Sequence, residues 1–225
     1  MSNLNKSWDP VWEKVFAENA WGKYPGESVI RFIARNFYKR NRPEVKILEV
    51  GCGSGANIWF MAKEHFLSYG IDGSESAIKQ AKDRLAEEKL SADLVIGDIV
   101  SLPYGEGIFD AVLDCECLYA NNLENTHKIL SEIDRVLKPD GLFYSRTLSE
   151  NMYTGKTNTF LGEKSFADIS DGPIAGKGFA RLMDLDDIRN VYGSRFEIIS
   201  IDKMEYTQGN MEQTISEYII ICKKK

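Results

Sequence analysis

Val45-Lys-Ile-Leu-Glu-Val-Gly-Cys-Gly-Ser-Gly-Ala56, VKILEVGCGSGA, is the stretch whose reading decides the fold. A short apolar run ends in alternating glycines, and an amphipathic run begins at once, the pattern of a buried strand turning tightly into a helix. Glycines at that turn let backbone approach a ligand without side-chain obstruction. Asp72 closes the next apolar run, LSYGID, about 20 residues on, the spacing at which an acid accepts hydrogen bonds from both hydroxyls of a ribose. Turn and acid together imply an adenosine-containing ligand. Gly51, Gly53 and Ala56 also satisfy the permissive spacing of nicotinamide-binding turns, so the glycines alone leave that cofactor open.

Working outward, apolar runs between Val45 and Leu142 alternate with amphipathic ones, which predicts β-α-β units on a parallel sheet covered on both faces. A helix from about Ala56 to Glu64 follows the turn, and Ser74 caps a second with Ala77, Ile78, Ala81 and Leu85 at helical spacing. Next come a strand over Leu94 to Ile96, a loop GDIVSLPYGEG, and the strand FDAVLD. A helix over Glu124 to Leu137 is expected to stop at LKPDG, where Pro139 and Gly141 end it before the strand LFYSRTL. Ser149 to Gly178 reads as a long polar connection of the kind that carries function. A short helix near Asp184 and two strands, RFEIISIDKMEY and MEQTISEYIIICK, complete the chain as an antiparallel edge hairpin. The sum is an α/β fold with a seven-stranded mixed sheet.

Composition narrows the function. A net charge of −6 with scattered Lys and Arg opposes a nucleic-acid partner. No apolar run has signal-peptide length or approaches the roughly 18 residues of a membrane span, so no membrane partner is expected and the compartment reads as cytoplasmic. Cys52, Cys115, Cys117 and Cys222 form no CxxC pair, so neither a metal site nor a disulfide framework is indicated. His65 and His127 fall on predicted helices away from the carboxyl strand ends and offer no general base.

ILEVGCGSG, YGIDGSESAI, GDIVSLPYGEGIFDAVLD and EIDRVLKPDGLF together resemble class I S-adenosylmethionine-dependent methyltransferases, of the type 11/25-like kind, over about Val45 to Leu148. The resemblance implies a Rossmann-like fold, S-adenosyl-L-methionine as cofactor, no metal, and in-line methyl transfer to a small-molecule acceptor. It places Glu49 in the acidic position before the first glycine and lays Gly51, Gly53 and the Cys52 backbone against the methionine and ribose. Asp72 then holds the ribose, Gly73 and Ser74 flank the adenine, and Asp98 with the Ile99 backbone meets its edge. Asp114 either faces the methionine end or is a helix cap or a solvated loop carboxylate.

On the acceptor side, Tyr119 follows the fourth strand and either orients the acceptor or packs, while Arg146, at the end of LFYSRT, either grips a carboxylate or phosphate of the acceptor or forms a surface salt bridge. Arg181 is open to the same two readings. Residues 1–40 are expected to form a helical lid, with Val11, Trp12, Val15 and Phe16 as its apolar stripe, and residues 149–183 an acceptor-side insertion on the same single domain, monomeric or homodimeric. A nicotinamide-dependent oxidoreductase would want a Tyr-x-x-x-Lys pair, and Tyr153 is followed at that spacing by Thr157. A non-catalytic cofactor-binding protein is the remaining alternative.

Overall fold

The computed structural model describes residues 7–19 and 22–225. Seven strands lie in the order β3-β2-β1-β4-β5-β10-β9. They are β1 (Lys46–Val50), β2 (Leu67–Asp72), β3 (Asp93–Ile96), β4 (Phe109–Cys115), β5 (Leu137–Leu148), β9 (Phe196–Gln208) and β10 (Gln213–Lys224). The first five run parallel, and β10 enters antiparallel between β5 and β9, giving the expected mixed sheet with its edge hairpin.

Helices cover both faces, which is why the central strands β1 and β4 are buried along nearly their whole length instead of alternating. On one face α2 (Glu27–Phe37), α3 (Ala56–Lys63) and α4 (Glu75–Glu87) bury Ile33, Phe37, Ile58, Met61, Ile78 and Leu85 against Ile47, Ala111 and Leu113. On the other, α5 (Leu123–Val136) and α6 (Leu185–Gly193) bury Ile129, Ile133, Ile188 and Tyr192 against Leu48, Val112 and Phe143. α1 (Val11–Glu18) lies outside these layers and packs on α4.

Two local expectations are corrected. LKPDG does not separate helix from strand, because β5 begins at Leu137 as soon as α5 ends. Leu137 pairs with Phe109 and Leu142 with Ala111, so Lys138 to Gly141 bulge out of a continuous ladder, with Asp140 at φ +61°. The polar connection after β5 is no plain loop either. It carries β6 (Thr159–Gly162), β7 (Ser165–Ala167) and β8 (Ala180–Arg181) as a separate antiparallel sheet over its own small core of Leu148, Met152, Ile169 and Leu182. Gly162 pairs with Ser165 across a two-residue turn in which Glu163 and Lys164 both have positive φ. That turn ordinarily announces itself as Asn-Gly, a signal missing here. Lys164 is instead held by Asp184 and Asp187, 2.5 Å away at the α6 N-terminus.

Candidate active site

The strands β1, β2 and β4 end side by side, and the turns that leave them surround a cleft of about 280 Å³. Gly51, at φ +65°, passes so close to Cys117 that a Cβ there would stand 2.2 Å from the thiol sulfur, so this glycine is required by sterics as well as by backbone angle. Its N–H donates to the Ile71 carbonyl at 2.8 Å, tying the turn to β2.

Asp72 binds the turn from the other side. One carboxylate oxygen accepts the Gly53 N–H at 2.8 Å and the other the Ser74 N–H at 2.9 Å. Burial raises its pKa, and those two backbone bonds oppose the rise. Asp72 still borders the cleft with lone pairs to offer, alongside Gly51, Cys52, Gly53, Gly73 and Ile99, so the greater part of the expected cofactor-binding set comes together in one place.

Glu49 forms the floor. Its Oε1 accepts from the Asn57 amide at 2.5 Å, while Oε2 is buried without a partner. Burial pushes its pKa up to about 8, with the charges of Asp72 and Asp114 adding to the rise. A buried acceptor left unpaired is costly and is satisfied by an incoming donor. The α-ammonium of S-adenosylmethionine is such a donor, and the aromatic rings of Trp8, Trp12 and Phe16 around the cleft suit its sulfonium. The residues present fit that cofactor.

Four expected site residues are engaged elsewhere. Asp114 is wholly buried and caps the turn at Leu118–Ala120, accepting from the Cys117 and Leu118 N–H groups at 2.9 and 3.0 Å and from the Ser145 hydroxyl at 2.5 Å. Ser74 caps α4 through the Ala77 N–H and donates to Glu13 at 2.6 Å. Asp98 is taken by Ser7, whose N–H donates at 2.7 Å and whose hydroxyl makes a second bond, so its expected adenine contact is here a contact with the amino-terminal segment. Arg146 is engaged in ion pairs with Glu217 and Glu116. Arg181 is also structural, donating to the Asn121 carbonyl at 3.3 Å and the Thr126 hydroxyl at 2.9 Å.

Tyr119 does line the cleft, and burial holds its phenol far above the ordinary value, so at neutral pH it acts as a hydrogen-bonding group. Among the further lining residues that the sequence did not single out are Glu116, Asn121 and Lys177. Glu116 carries a signal visible only in three dimensions, a non-glycine residue at φ +61° immediately after β4, where strain is characteristically held for function.

The amino-terminal segment roofs the cleft. The Trp8 ring lies over Gly73, where a Cβ would come within 2.5 Å, and Phe16 lies over Gly53. Glu13 accepts from the Ser74 and Ser76 hydroxyls at 2.6 and 2.5 Å, and the Gln80 amide donates to the Phe16 carbonyl. Trp21, expected in the same roof, lies outside the described residues.

Among the described residues no group of three or more His, Cys, Asp or Glu is placed to hold a metal, and no helix is long and apolar enough to cross a membrane. Residues 48–145 match a family model described as a methyltransferase domain. A tRNA N(3)-methylcytidine methyltransferase of Schizosaccharomyces pombe is 28% identical over 86% of this chain and 71% of its own. A phthiotriol/phenolphthiotriol dimycocerosates methyltransferase of Mycobacterium tuberculosis is 33% identical over 52% of this chain and 44% of its own. In fold, a SAM-dependent methyltransferase from Methanosarcina mazei superposes with a TM-score of 0.70 at 21% identity, over 89% of this chain and 98% of the other.

Proposed function

We propose that this chain is a class I S-adenosylmethionine-dependent methyltransferase that methylates a small-molecule acceptor in the cytoplasm, as a monomer or homodimer. The observation that carries the small-molecule reading is the roof: Trp8, Trp12 and Phe16 close the cleft from above and leave about 280 Å³. That volume lies at the lower edge of ligand-pocket sizes and must also take the cofactor, which leaves room beside it for a small acceptor. A net charge of −6 adds long-range repulsion toward a polyanion.

In this reading Asp72 takes the ribose hydroxyls, Glu49 the α-ammonium, and Gly51, Cys52 and Gly53 let the backbone approach the methionine. Gly73 and Ile99 border the adenine. The bound cofactor supplies an activated methyl group on a positively charged sulfur. What the protein adds is alignment of the acceptor and exclusion of water, and holding reactants in line removes several kcal/mol of barrier or more. Tyr119 orients the acceptor. Arg146, expected to touch it, acts on it only through Glu116.

The test is a transfer assay with tritiated S-adenosylmethionine, offering a small-molecule cell extract and total tRNA separately. Label is expected in the small-molecule fraction. Label confined to tRNA, the acceptor named for the S. pombe relative, overturns the reading.

A further inference from the structure

Beyond β4 the chain makes one short turn, Leu118–Ala120, and a residue on either side of it lines the cleft: Glu116 before it and Asn121 after it. Neither residue belongs to the expected cofactor set.

Asn121 is clamped. Its side-chain amide nitrogen donates to the Cys117 carbonyl at 3.2 Å, and its main-chain carbonyl accepts from Arg181. The amide orientation is therefore fixed, and Oδ1 is left buried without a partner. Glu116 is held just as firmly. Its N–H donates to the Arg146 carbonyl at 2.9 Å, and its carboxylate meets the Arg146 guanidinium at 3.1 Å. That guanidinium is anchored in turn by the buried Glu217, 2.7 Å from its Nε. Backbone strain at Glu116 and a buried unpaired acceptor at Asn121 converge on one turn at the acceptor end of the cleft.

Taking the small-molecule reading as its basis, we propose that Glu116 and Asn121 recognise a neutral nitrogen acceptor, an amine or amino-substituted ring, through its two N–H bonds. Both groups face it as hydrogen-bond acceptors, so the ligand must bring donors. An NH₂ group brings two, one for each oxygen, and keeps its lone pair free for the third direction. A hydroxyl has one donor and leaves one oxygen unpaired, the situation in which a site built to hydrogen-bond its substrate discriminates strongly. In the transfer step the nitrogen lone pair forms the bond to the methyl carbon as the carbon–sulfur bond breaks, its electron pair passing to sulfur. The methylated nitrogen then gives up one proton to the Glu116 carboxylate, which passes it to solvent. Charge and atoms balance, with a methylamine, S-adenosylhomocysteine and one proton as products.

Lys177 lines the same cleft and would favour an acid instead, so the test sets the two against each other. Aniline, phenol and benzoate are nearly isosteric probes, and each is titrated by ligand-observed NMR into protein saturated with S-adenosylhomocysteine. Aniline is expected to bind about tenfold more tightly than phenol or benzoate. Glu116→Gln and Asn121→Leu should each erase that preference while the affinity for S-adenosylhomocysteine stays at the parent value. Equal binding of the three, a preference for benzoate, or no aniline response overturns the proposal. Since the variants are read by probe selectivity, this failure is distinct from failure of the small-molecule reading, which shows as label in tRNA.

Discussion

The Gly53 N–H donates to the Asp72 carboxylate at 2.8 Å, so the acid at the end of β2 holds the glycine turn in shape before any ligand arrives. One side chain does two jobs: it organises the backbone that approaches the cofactor and keeps lone pairs for the ribose. Removing it outright would therefore mix a folding defect with a binding defect. Asp72→Asn keeps one acceptor oxygen and the side-chain shape while losing the charge. Its affinity for S-adenosylhomocysteine is expected to fall by about 1.5–3 kcal/mol, the worth of hydrogen bonds to a charged group, and its melting temperature to fall by a few degrees, because the amide nitrogen replaces one of the two oxygens that accept the Gly53 and Ser74 N–H groups. Titration calorimetry beside thermal unfolding checks both, and parent-like affinity would remove Asp72 from the ribose.

Glu49 predicts proton release. Burial pushes its pKa up to about 8, so near pH 7 the carboxyl is mostly protonated in the free protein. An arriving ammonium favours the ionised form and lowers that pKa, so binding at pH 7 expels a proton. Calorimetry in two buffers of different ionisation enthalpy should show S-adenosylhomocysteine releasing a fraction of a proton, and Glu49→Gln should abolish the release. The sign for stability follows from the same shift: the folded carboxyl binds its proton more tightly than the unfolded one. Its contribution is full below the ordinary value of 4.5 and is lost as pH rises toward about 8. Binding that exchanges no proton would take the ammonium away from Glu49.

Arg146 predicts a stability cost. Its guanidinium is mostly buried, 2.7 Å through Nε from a Glu217 carboxylate that is 3% exposed at the side chain. Burial pushes the Glu217 carboxyl up to about 7 against the pull of Arg146, so Arg146→Ala leaves it protonated at neutral pH and is expected to cost about 1–3 kcal/mol in urea unfolding, whereas Arg146→Met combined with Glu217→Leu, which removes both charges, should cost less. Equal losses in the two proteins would show that packing outweighs charge at this position.

The parts of this molecule legible in the sequence are those where one local pattern has one physical outcome. The apolar run into Gly51, Cys52 and Gly53, the acid at Asp72, and the Ser74 cap all specify backbone shape within a few residues, and the sheet with its edge hairpin follows from their repetition. The small sheet β6-β7-β8 stayed hidden because Glu163 and Lys164 supply a positive-φ turn without glycine, stabilised by Asp184 and Asp187 some twenty residues away. Arg146 was recognised as charged and well placed, but its partner Glu217 sits on β10, 71 residues along, so only the register of β10 on β5 shows that the charge is already spoken for. Glu116 and Asn121 carry no motif. Their interest comes from a backbone angle and an unpaired oxygen, neither of which a sequence displays.

The roof predicts an acid-sensitive, ligand-sensitive closure. Glu13 fastens α1 to the start of α4, and the hydroxyls of Ser74 and Ser76 hold its pKa below the ordinary 4.5. A depressed carboxylate contributes to docking above its ordinary value and loses that contribution as pH falls through the lowered one, so α1 should release on acidification below about 4.5. Glu13→Ala should loosen it already at neutral pH. Gly22, Pro25 and Gly26, which separate α1 from α2, supply the hinge, and a Cβ at Gly22 would meet nothing within 4 Å. Three of the four tryptophans, Trp8, Trp12 and Trp21, precede Ser28, so intrinsic fluorescence reports the roof directly. S-adenosylhomocysteine should shift that emission and protect the peptide bonds before Ser28 from protease, and Glu13→Ala should need more ligand to reach the same protection. A ligand that binds without altering either signal, in the parent and in the variant alike, would make α1 a fixed wall of the cleft.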